Sequence, residues 1–451
     1  MASTALTRSF GTATNTQKFT ISVWIKRSSL ATSGYQHIWH TTDGSYDGYL
    51  RFRNSENQLQ LNMGVASPNT PPNYRTNRVF RDVNAWYHIV VAVDTTLSTS
   101  SDRVKFYVNG IIETSFQSSD APTQNNSYDY LSSSGLGYIG RNATSASNYF
   151  DGSMSHFHFI DGTAYDASAF GETDTTTGEW KAKTSPSVTY GNNGYFILKD
   201  GNSVTDQSGE GNNFTVASGT LTDLKDNPDN VFATLNPLNQ ISSVSYTNGN
   251  NTFTNSTGNA NRLAFSTLAM TSGKFYCEMK VVNLGSAYTH IGLNNIGSYR
   301  LTNAYVNEPT NEKVSYLNDG RVFIHGGTLG YDGTTYTTGD IIGLACDMDN
   351  GYLYYHKNGT YINSGSPTSG ATGTGGFDIY NHGSVDYCFA VSNSGDTSPP
   401  IISANFGNGF FGTTAITTNS GNGYSGAEGS SKFNYTVPTG YSALSTKGLN
   451  E

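Results

Sequence analysis

Charged residues are scarce in this chain of 451 residues, and their scarcity limits the partners that it can bind. Only 13% of the residues are charged, and 25 basic against 34 acidic residues give a formal net charge of −9. Proteins that bind nucleic acid concentrate Lys and Arg in a stripe that displaces the counterions of the phosphates. The sequence contains no such run, which argues against a nucleic-acid partner.

Long apolar runs and a cleavable leader are also missing. No stretch of 18 apolar residues occurs, which argues against insertion into a membrane. The first residues, Met1 to Phe10, contain no cationic segment followed by an apolar one. We therefore expect a protein that is made in the cytoplasm without a signal peptide, although its uncharged polar composition suits work outside a cell.

Cysteine is rare and is not arranged for cross-linking. The three cysteines, Cys277, Cys346 and Cys388, lack the density of a disulfide scaffold and the close pairing of a zinc site. Each lies in apolar or aromatic sequence, so we expect three thiols in the protein core.

Aromatic and turn-forming residues are abundant instead. The chain has 30 Tyr, 23 Phe and 50 Gly. Aromatic residues suit the half-buried surface of a sheet, and Gly supplies turns rather than helices. This composition predicts β-structure with little helix.

Strands are indicated by apolar residues in period two. The clearest alternation puts four apolar side chains on one face of a strand, namely Phe19, Ile21, Val23 and Ile25. Residues 86–94 are nearly continuous apolar sequence, which is typical of a central strand that is covered on both faces. Asn109-Gly110 separates two further strands and predicts a type I′ hairpin, because both positions of that turn need a positive φ. In the second half, Asp349-Asn350-Gly351 and Lys357-Asn358-Gly359 bracket another strand, which predicts a β-meander.

These patterns predict an all-β protein of two tandem antiparallel β-sandwiches of the jelly-roll type. We place the first sandwich at residues 1–172 and the second at 240–412. The polar, turn-rich segment 173–239 is interpreted as a connector with a short strand at 195–198. Residues 413–451 form an aromatic and Gly-rich C-terminal tail.

Both predicted sandwiches carry motifs of known families. The first resembles laminin-G-like, concanavalin-like domains in Phe19–Lys26, Trp86–Val90, Val104–Gly110, Tyr138–Gly140 and Tyr149–Met154. The second resembles SPRY domains in Gly273–Glu278, Ile291–Leu293, Gly339–Gly343 with Asp347, Gly351–Gly359 and Asn405–Gly407.

The combination of the two sandwiches resembles structural proteins of marine, cyanophage-type bacteriophages. The resemblance extends to the connector, at Ser208–Asn213 and Phe232–Pro237, and to the tail, at Tyr435–Leu444. The resemblance implies a fibre, appendage or capsid-surface protein on the exterior of the virion. Such a protein attaches to other virion proteins, binds host-surface carbohydrate or a receptor, and is expected to be a homo-oligomer. Because no heptads precede the first strand, a place on the tail and a place on the head both stay open.

Catalytic motifs are absent from the sequence. Glycoside hydrolases need two carboxylates that flank the scissile bond, and the nearest approach, Glu172 with Asp174, lies in the Thr-rich connector rather than inside a strand. No Gly-x-Ser-x-Gly elbow, phosphate loop or dinucleotide fingerprint occurs. We therefore expect no enzyme. A carbohydrate-active enzyme without a recognisable motif and a pure protein–protein adaptor remain the alternatives.

We expect no cofactor, with calcium as the alternative. Laminin-G-like domains often bind calcium through oxygen ligands at the rim of the sandwich, and the resemblance makes Asp94 and Asp151 candidate ligands. Alternatively, Asp94 is an ordinary turn residue at the end of a strand. His156 and His158 share one face of a predicted strand whose other face, Phe157 and Phe159, lies in the core. We interpret the two histidines as a solvated polar face.

Loop aromatics are the candidates for ligand binding, because a ring stacks on a sugar while polar neighbours bind its hydroxyl groups. In the first sandwich these candidates are Tyr46, Asp47, Tyr49, Tyr74 and Arg75. In the second they are Tyr299, Arg300 and Tyr305.

Overall fold

The computed structural model describes residues 3–30, 33–53, 55–65, 71–199, 203–238, 244–255, 262–286, 288–296, 313–324, 327–331, 333–379, 382–393, 398–416, 425–427 and 429–450. The chain divides into two compact units, Met1–Asp223 and Leu224–Glu451. Among the described residues, no helix is long and apolar enough to cross a membrane.

The described part of the first unit contains sixteen strands. They are β1 (Ala5–Ser9), β2 (Lys18–Arg27), β3 (Tyr35–Thr42), β4 (Asp47–Arg53), β5 (Gln58–Met63), β6 (Asn73–Val79), β7 (Trp86–Asp94), β8 (Val104–Val108), β9 (Ile111–Glu113), β10 (Phe116–Asp120), β11 (Leu136–Ile139), β12 (Gly152–Asp161), β13 (Gly171–Thr173), β14 (Trp180–Ala182), β15 (Tyr195–Ile197) and β16 (Thr215–Ser218). The short 3-10 helices of this unit are Ser100–Asp102, Asp129–Leu131 and Ala167–Ala169.

Fourteen of these strands form two antiparallel sheets that face each other, and β13 pairs with β14 in a separate two-stranded sheet. One sheet has eight strands in the order β10-β6-β5-β4-β3-β11-β1-β16, and the other has six in the order β15-β12-β2-β7-β8-β9. The core between them takes Phe19 and Val91 from the six-stranded sheet and Trp39 and Leu50 from the eight-stranded sheet, and all four side chains are inaccessible to solvent. The predicted all-β sandwich is therefore confirmed.

The second unit contains seventeen strands in its described residues. They are β17 (Val244–Thr247), β18 (Thr252–Asn255), β19 (Arg262–Phe265), β20 (Lys274–Asn283), β21 (Thr289–Asn295), β22 (Lys313–Leu317), β23 (Arg321–Ile324), β24 (Gly327–Tyr331), β25 (Ile341–Asp347), β26 (Tyr352–Lys357), β27 (Thr360–Tyr361), β28 (Phe377–Asp378), β29 (Tyr387–Asn393), β30 (Ile401–Asn405), β31 (Phe410–Phe411), β32 (Thr414–Ala415) and β33 (Ser442–Ala443). Its 3-10 helices are Ile362–Ser364, Gly370–Thr372 and Gly448–Asn450.

This unit is also built from two large sheets. The larger follows the order β17-β18-β30-β20-β25-β26-β27, with β28 beside β26 and β33 beside β20, and the smaller follows β19-β29-β21-β22-β23-β24. The neighbours β25, β26 and β27 are the predicted meander. Cys277, Cys346 and Cys388 are buried free thiols, as expected, and burial raises the pKa of each above its ordinary value.

The structure confirms two predictions made from local sequence patterns. The alternating residues of β2, from Phe19 to Ile25, are fully buried in the core. Asn109 and Gly110 have φ values of 49° and 80° and join β8 to β9, which confirms the predicted turn. A Cβ atom at Gly110 would lie 2.6 Å from the Trp180 ring, so glycine is needed there for space as well as for its conformation.

The described residues of the segment between the predicted sandwiches, and those of the C-terminal segment, include paired strands. Strand β15 pairs with β12, and β16 pairs with β1, in the first unit. In the second unit, β33 pairs in parallel with the first half of β20, and Tyr441 is buried in a cluster with Phe232 and Tyr276.

Candidate functional site

The outer face of the eight-stranded sheet combines aromatic, amide and guanidinium groups. In β4, Leu50 and Phe52 point into the core, so the alternate residues Tyr49, Arg51 and Arg53 lie on the outer face, where they are half-buried. Strands β3, β5 and β6 contribute residues to the same face.

Cross-strand register aligns these side chains in two rows. One row is His37, Arg51, Gln60, Arg75 and Ser118, and the other is His40, Tyr49, Asn62 and Asn73. We name the two rows, together with Tyr35 and Arg53, the arginine–tyrosine face. The first row crosses five strands and therefore extends about 19 Å.

Arg51 occupies the centre of the arginine–tyrosine face. Its guanidinium lies 3.5 Å from the ring centroid of Tyr35 and 4.0 Å from that of Tyr49. Its Nε donates a hydrogen bond of 3.1 Å to Oε1 of Gln60, whose Nε2 donates to Oδ1 of Asn73 at 3.1 Å. The two rings and the amide chain fix the plane of the guanidinium.

The two other arginines of this face share one carboxylate. Glu56 Oε1 lies 3.4 Å from Nη2 of Arg53 and 3.3 Å from Nη2 of Arg75. Arg75 also donates from Nε to Oε1 of Gln58. Both positive charges are thus partly neutralised within the face.

The histidine pair of the face, His37 and His40, lies under the loop that follows β11. His40 Nδ1 accepts a hydrogen bond from the backbone N–H of Ala143 at 3.0 Å, so Nε2 carries the proton and donates to Oδ2 of Asp47 at 3.0 Å. This bond is the main cause that lowers the pKa of Asp47. His37 stacks on His40 at 5.0 Å, and burial lowers the pKa of His37 to about 3. His37 is therefore neutral near pH 7.

The structure brings only part of the predicted ligand set together. Tyr49 and Arg75 belong to the face, Asp47 is held at its border by His40, and Tyr46 lies in the turn between β3 and β4 with 41% of its surface exposed. The loop expected around Tyr74 is the start of β6. Tyr74 itself is only 4% exposed and packs in the core against Phe106 and Phe116, so its ring offers no surface to a ligand. Tyr299, Arg300 and Tyr305 lie outside the described residues.

Sequence reasoning missed the centre of the face. The residues that it omitted are Tyr35, Arg51, Arg53 and Gln60. A signal was present, because Tyr49, Arg51 and Arg53 alternate with apolar residues and must share the face opposite to the core.

The two candidate calcium ligands do not meet. Asp94 forms an ion pair of 3.0 Å with Lys18 at the start of β2, whereas Asp151 immediately precedes Gly152, which pairs with Arg27 at the end of β2. The nine steps along β2 from Lys18 to Arg27 span about 30 Å, so one ion cannot bind both carboxylates. Asp94 accepts hydrogen bonds from the backbone and hydroxyl of Thr96, as a turn residue does. Among the described residues, no group of three or more His, Cys, Asp or Glu side chains could hold a metal ion.

The prediction that His156 and His158 form a solvated face of β12 is wrong for His158. This side chain is 1% exposed, stacks on Phe196 at 3.9 Å and contacts the Tyr190 hydroxyl through Nδ1 at 2.9 Å. His156 has a positive φ of 48° at a register shift and so leaves the regular alternation. Phe157 and Phe159 lie in the core as predicted.

The nearest carboxylate pair is also placed differently from the expectation. Glu172 lies inside strand β13 of the two-stranded β13–β14 ribbon, and not in a loop. Asp174 follows that strand, forms a 3.0 Å ion pair with Lys181 and accepts hydrogen bonds from backbone N–H groups of its own turn.

A comparison with protein families identifies a match in the first unit. Residues 2–168 match the family described as the concanavalin A-like lectin/glucanases superfamily, which confirms the resemblance of the first sandwich. Similar solved structures include the SPRY domain of human HERC1, with 16% identity over 38% of this chain and 96% of that one at a TM-score of 0.30. They also include a human SPRY domain, with 15% identity over 36% of this chain and 94% of that one at a TM-score of 0.27.

A third similar structure is the heptameric SAP-like pentraxin of Limulus polyphemus, with 16% identity over 36% of this chain and 71% of that one at a TM-score of 0.26. No curated protein matches the sequence. The match to residues 2–168 thus identifies a concanavalin A-like domain in the first unit.

Proposed function

We propose that this chain is a non-catalytic bacteriophage virion protein, a fibre, appendage or capsid-surface component, whose first unit binds host-surface carbohydrate through the arginine–tyrosine face. The observation that carries the proposal is the pair of cross-strand rows around Arg51 and Tyr49. Aromatic rings stack on the apolar faces of sugars, while amide and guanidinium groups donate to hydroxyl groups. A row of about 19 Å accommodates a short oligosaccharide.

The position of the carboxylates favours binding over hydrolysis. Asp47 begins β4, and Glu56 follows the end of that strand at Arg53. The six steps from Asp47 to Arg53 span about 20 Å, whereas glycosidases hold their two carboxyl groups about 5–10 Å apart. This separation supports a face that holds a glycan without cleaving it.

The virion assignment is supported by the resemblance to cyanophage-type structural proteins and by the low charge content of 13%. We propose that the chain assembles as a homo-oligomer with other virion proteins on the outside of the particle, and that it needs no cofactor. Mass spectrometry of purified, intact particles tests this part. Particles that lack the chain would contradict it.

Glycan binding is tested separately with the purified chain on host-surface polysaccharide. We expect binding, no release of new reducing ends, and at least a fivefold loss of affinity in Tyr49→Ala. Tyr165→Ala, on a half-buried tyrosine outside the face, is the matched control and should bind as the wild type does. Release of reducing ends would favour the enzyme alternative. Failure to bind any glycan, combined with tight binding to a capsid or tail protein, would favour the adaptor.

A further inference from the structure

We infer that the glycan is acidic, and that Arg51 binds its negatively charged substituent, a carboxylate or a sulfate. This inference rests on the proposed glycan-binding function and specifies the class of sugar. It follows from the hydrogen bonds that Arg51 leaves unused.

A guanidinium has five N–H donors. The structure gives Arg51 one hydrogen bond, from Nε to Gln60. Its two terminal nitrogens reach solvent, and none of the described carboxylates forms an ion pair with them. The donor edge of Arg51 is therefore open.

Other arginines of the first unit have their partners within the fold. Arg53 and Arg75 share Glu56, and Arg78 Nε lies 2.6 Å from a carboxylate oxygen of Glu113. Arg103 donates to three backbone carbonyl groups. Arg51 differs from these because it is held rigidly and forms no ion pair with any of the described carboxylates. Asp47, whose negative charge acts on Arg51 from a distance, is itself hydrogen-bonded to His40.

The setting of Arg51 suits a planar anion. The rings of Tyr35 and Tyr49 cover its faces at 3.5 Å and 4.0 Å, which leaves the edge with the terminal nitrogens for approach. A carboxylate or sulfate can accept two parallel N–H bonds from this edge. Because the side chain is already ordered, little conformational entropy is lost when the anion binds.

The net charge of the protein strengthens the inference. At −9 the chain as a whole repels anionic polymers, so their binding requires a local positive site. The arginine–tyrosine face provides one, because its three arginines outnumber the two carboxylates beside it: Glu56, which Arg53 and Arg75 share, and Asp47, which is hydrogen-bonded to His40.

The test uses the full chain and three immobilised polysaccharides: polygalacturonate, which carries carboxylates, dextran sulfate, and neutral dextran. We expect at least tenfold tighter binding to one or both anionic polymers than to dextran. Arg51→Gln should bind the anionic polymer at least tenfold more weakly than the wild type does. Arg81→Gln, at an exposed arginine in the loop between β6 and β7, should bind it as the wild type does. Tighter binding to polygalacturonate would identify a carboxylate as the anion, and tighter binding to dextran sulfate would identify a sulfate.

Arg51→Lys keeps the charge but removes the two-pronged donor edge, and we expect it to lose at least threefold in affinity. Thermal unfolding of each variant identifies loss of fold, and Arg51→Lys serves if Arg51→Gln does not fold. Equal binding to dextran and the anionic polymers, or equal losses in the Arg51 and Arg81 variants, would overturn the acidic class while the glycan-binding proposal stands. Absence of binding to these and to host polysaccharide would overturn both.

Discussion

The guanidinium of Arg51 lies 3.5 Å from the ring centroid of Tyr35, although 15 residues separate the two in the sequence. The contact exists because β3 and β4 are neighbours in the eight-stranded sheet, where Arg51 pairs with His37 and Arg53 pairs with Tyr35. The orientation of the proposed anion-binding group is thus set by strand register.

Removal of the Tyr35 ring should weaken glycan binding. Without the ring the Arg51 side chain is less ordered and must be immobilised when the glycan binds, at a cost of about 0.5–1.5 kcal/mol, so Tyr35→Ala should lower affinity roughly two- to twelvefold. Tyr35→Phe keeps the ring and should bind within about twofold of the wild type. Titration calorimetry with the bound polysaccharide measures both variants. Equal losses in the two would show that the hydroxyl group, rather than the ring, is what matters.

Arg27 should be essential to the stability of the first unit. Its side chain is buried, donates to the Phe80 carbonyl at 2.7 Å and to Oδ1 of Asn57 at 2.9 Å, and lies 4.5 Å over the Phe52 ring. Arg27→Met leaves both acceptors without their donor, so we expect the free energy of unfolding to fall by about 2–4 kcal/mol. Chemical denaturation measures it. Arg81→Met should change it by less than about 0.5 kcal/mol, and a similar value for Arg27→Met would refute the role of these bonds.

His88 and Trp180 should be energetically coupled. Trp180 Nε1 donates to His88 Nδ1 at 3.0 Å, so His88 Nε2 carries the proton and donates to the Ser22 hydroxyl at 2.9 Å. Burial lowers the pKa of His88 to about 3, which keeps this neutral form near pH 7. In a double-mutant cycle of His88→Phe and Trp180→Phe, we expect a coupling of about 1 kcal/mol in the free energy of unfolding. Additive effects would mean that the bond contributes nothing to stability.

The sequence could predict what depends on local pattern. Period-two apolar residues identified β2 and its buried face, and Asn109-Gly110 identified a hairpin, because neither depends on distant residues. The neighbours of Arg51 could not be predicted, since register is fixed only when strands pair. For the same reason the sequence could not separate Asp94 from Asp151, or show that Tyr74 lies in the core.

A further long-range relationship joins Glu278 in β20 to the C-terminal segment. Its carboxylate accepts backbone N–H bonds from Asn434 at 2.9 Å and Tyr435 at 2.8 Å, although Glu278 and Asn434 are 156 positions apart in the sequence. It also accepts from the Tyr276 hydroxyl at 3.1 Å and from Nδ2 of Asn405 at 3.3 Å. Burial outweighs these four donors and raises the pKa of Glu278 from 4.5 to about 7.

This raised pKa predicts how the stability of the second unit depends on pH. Between pH 4.5 and about 7 the folded unit retains a proton on Glu278 that the unfolded chain has released. The contribution of Glu278 to the free energy of unfolding should therefore fall as pH rises through this window, by about 3 kcal/mol in total, and stay constant on either side. Glu278→Gln cannot titrate and should lack this dependence, whereas Asp229→Asn, at an exposed carboxylate of the same unit, should keep it. Denaturation of the three proteins from pH 4 to pH 8 measures the effect, and a constant difference between wild type and Glu278→Gln would exclude a raised pKa.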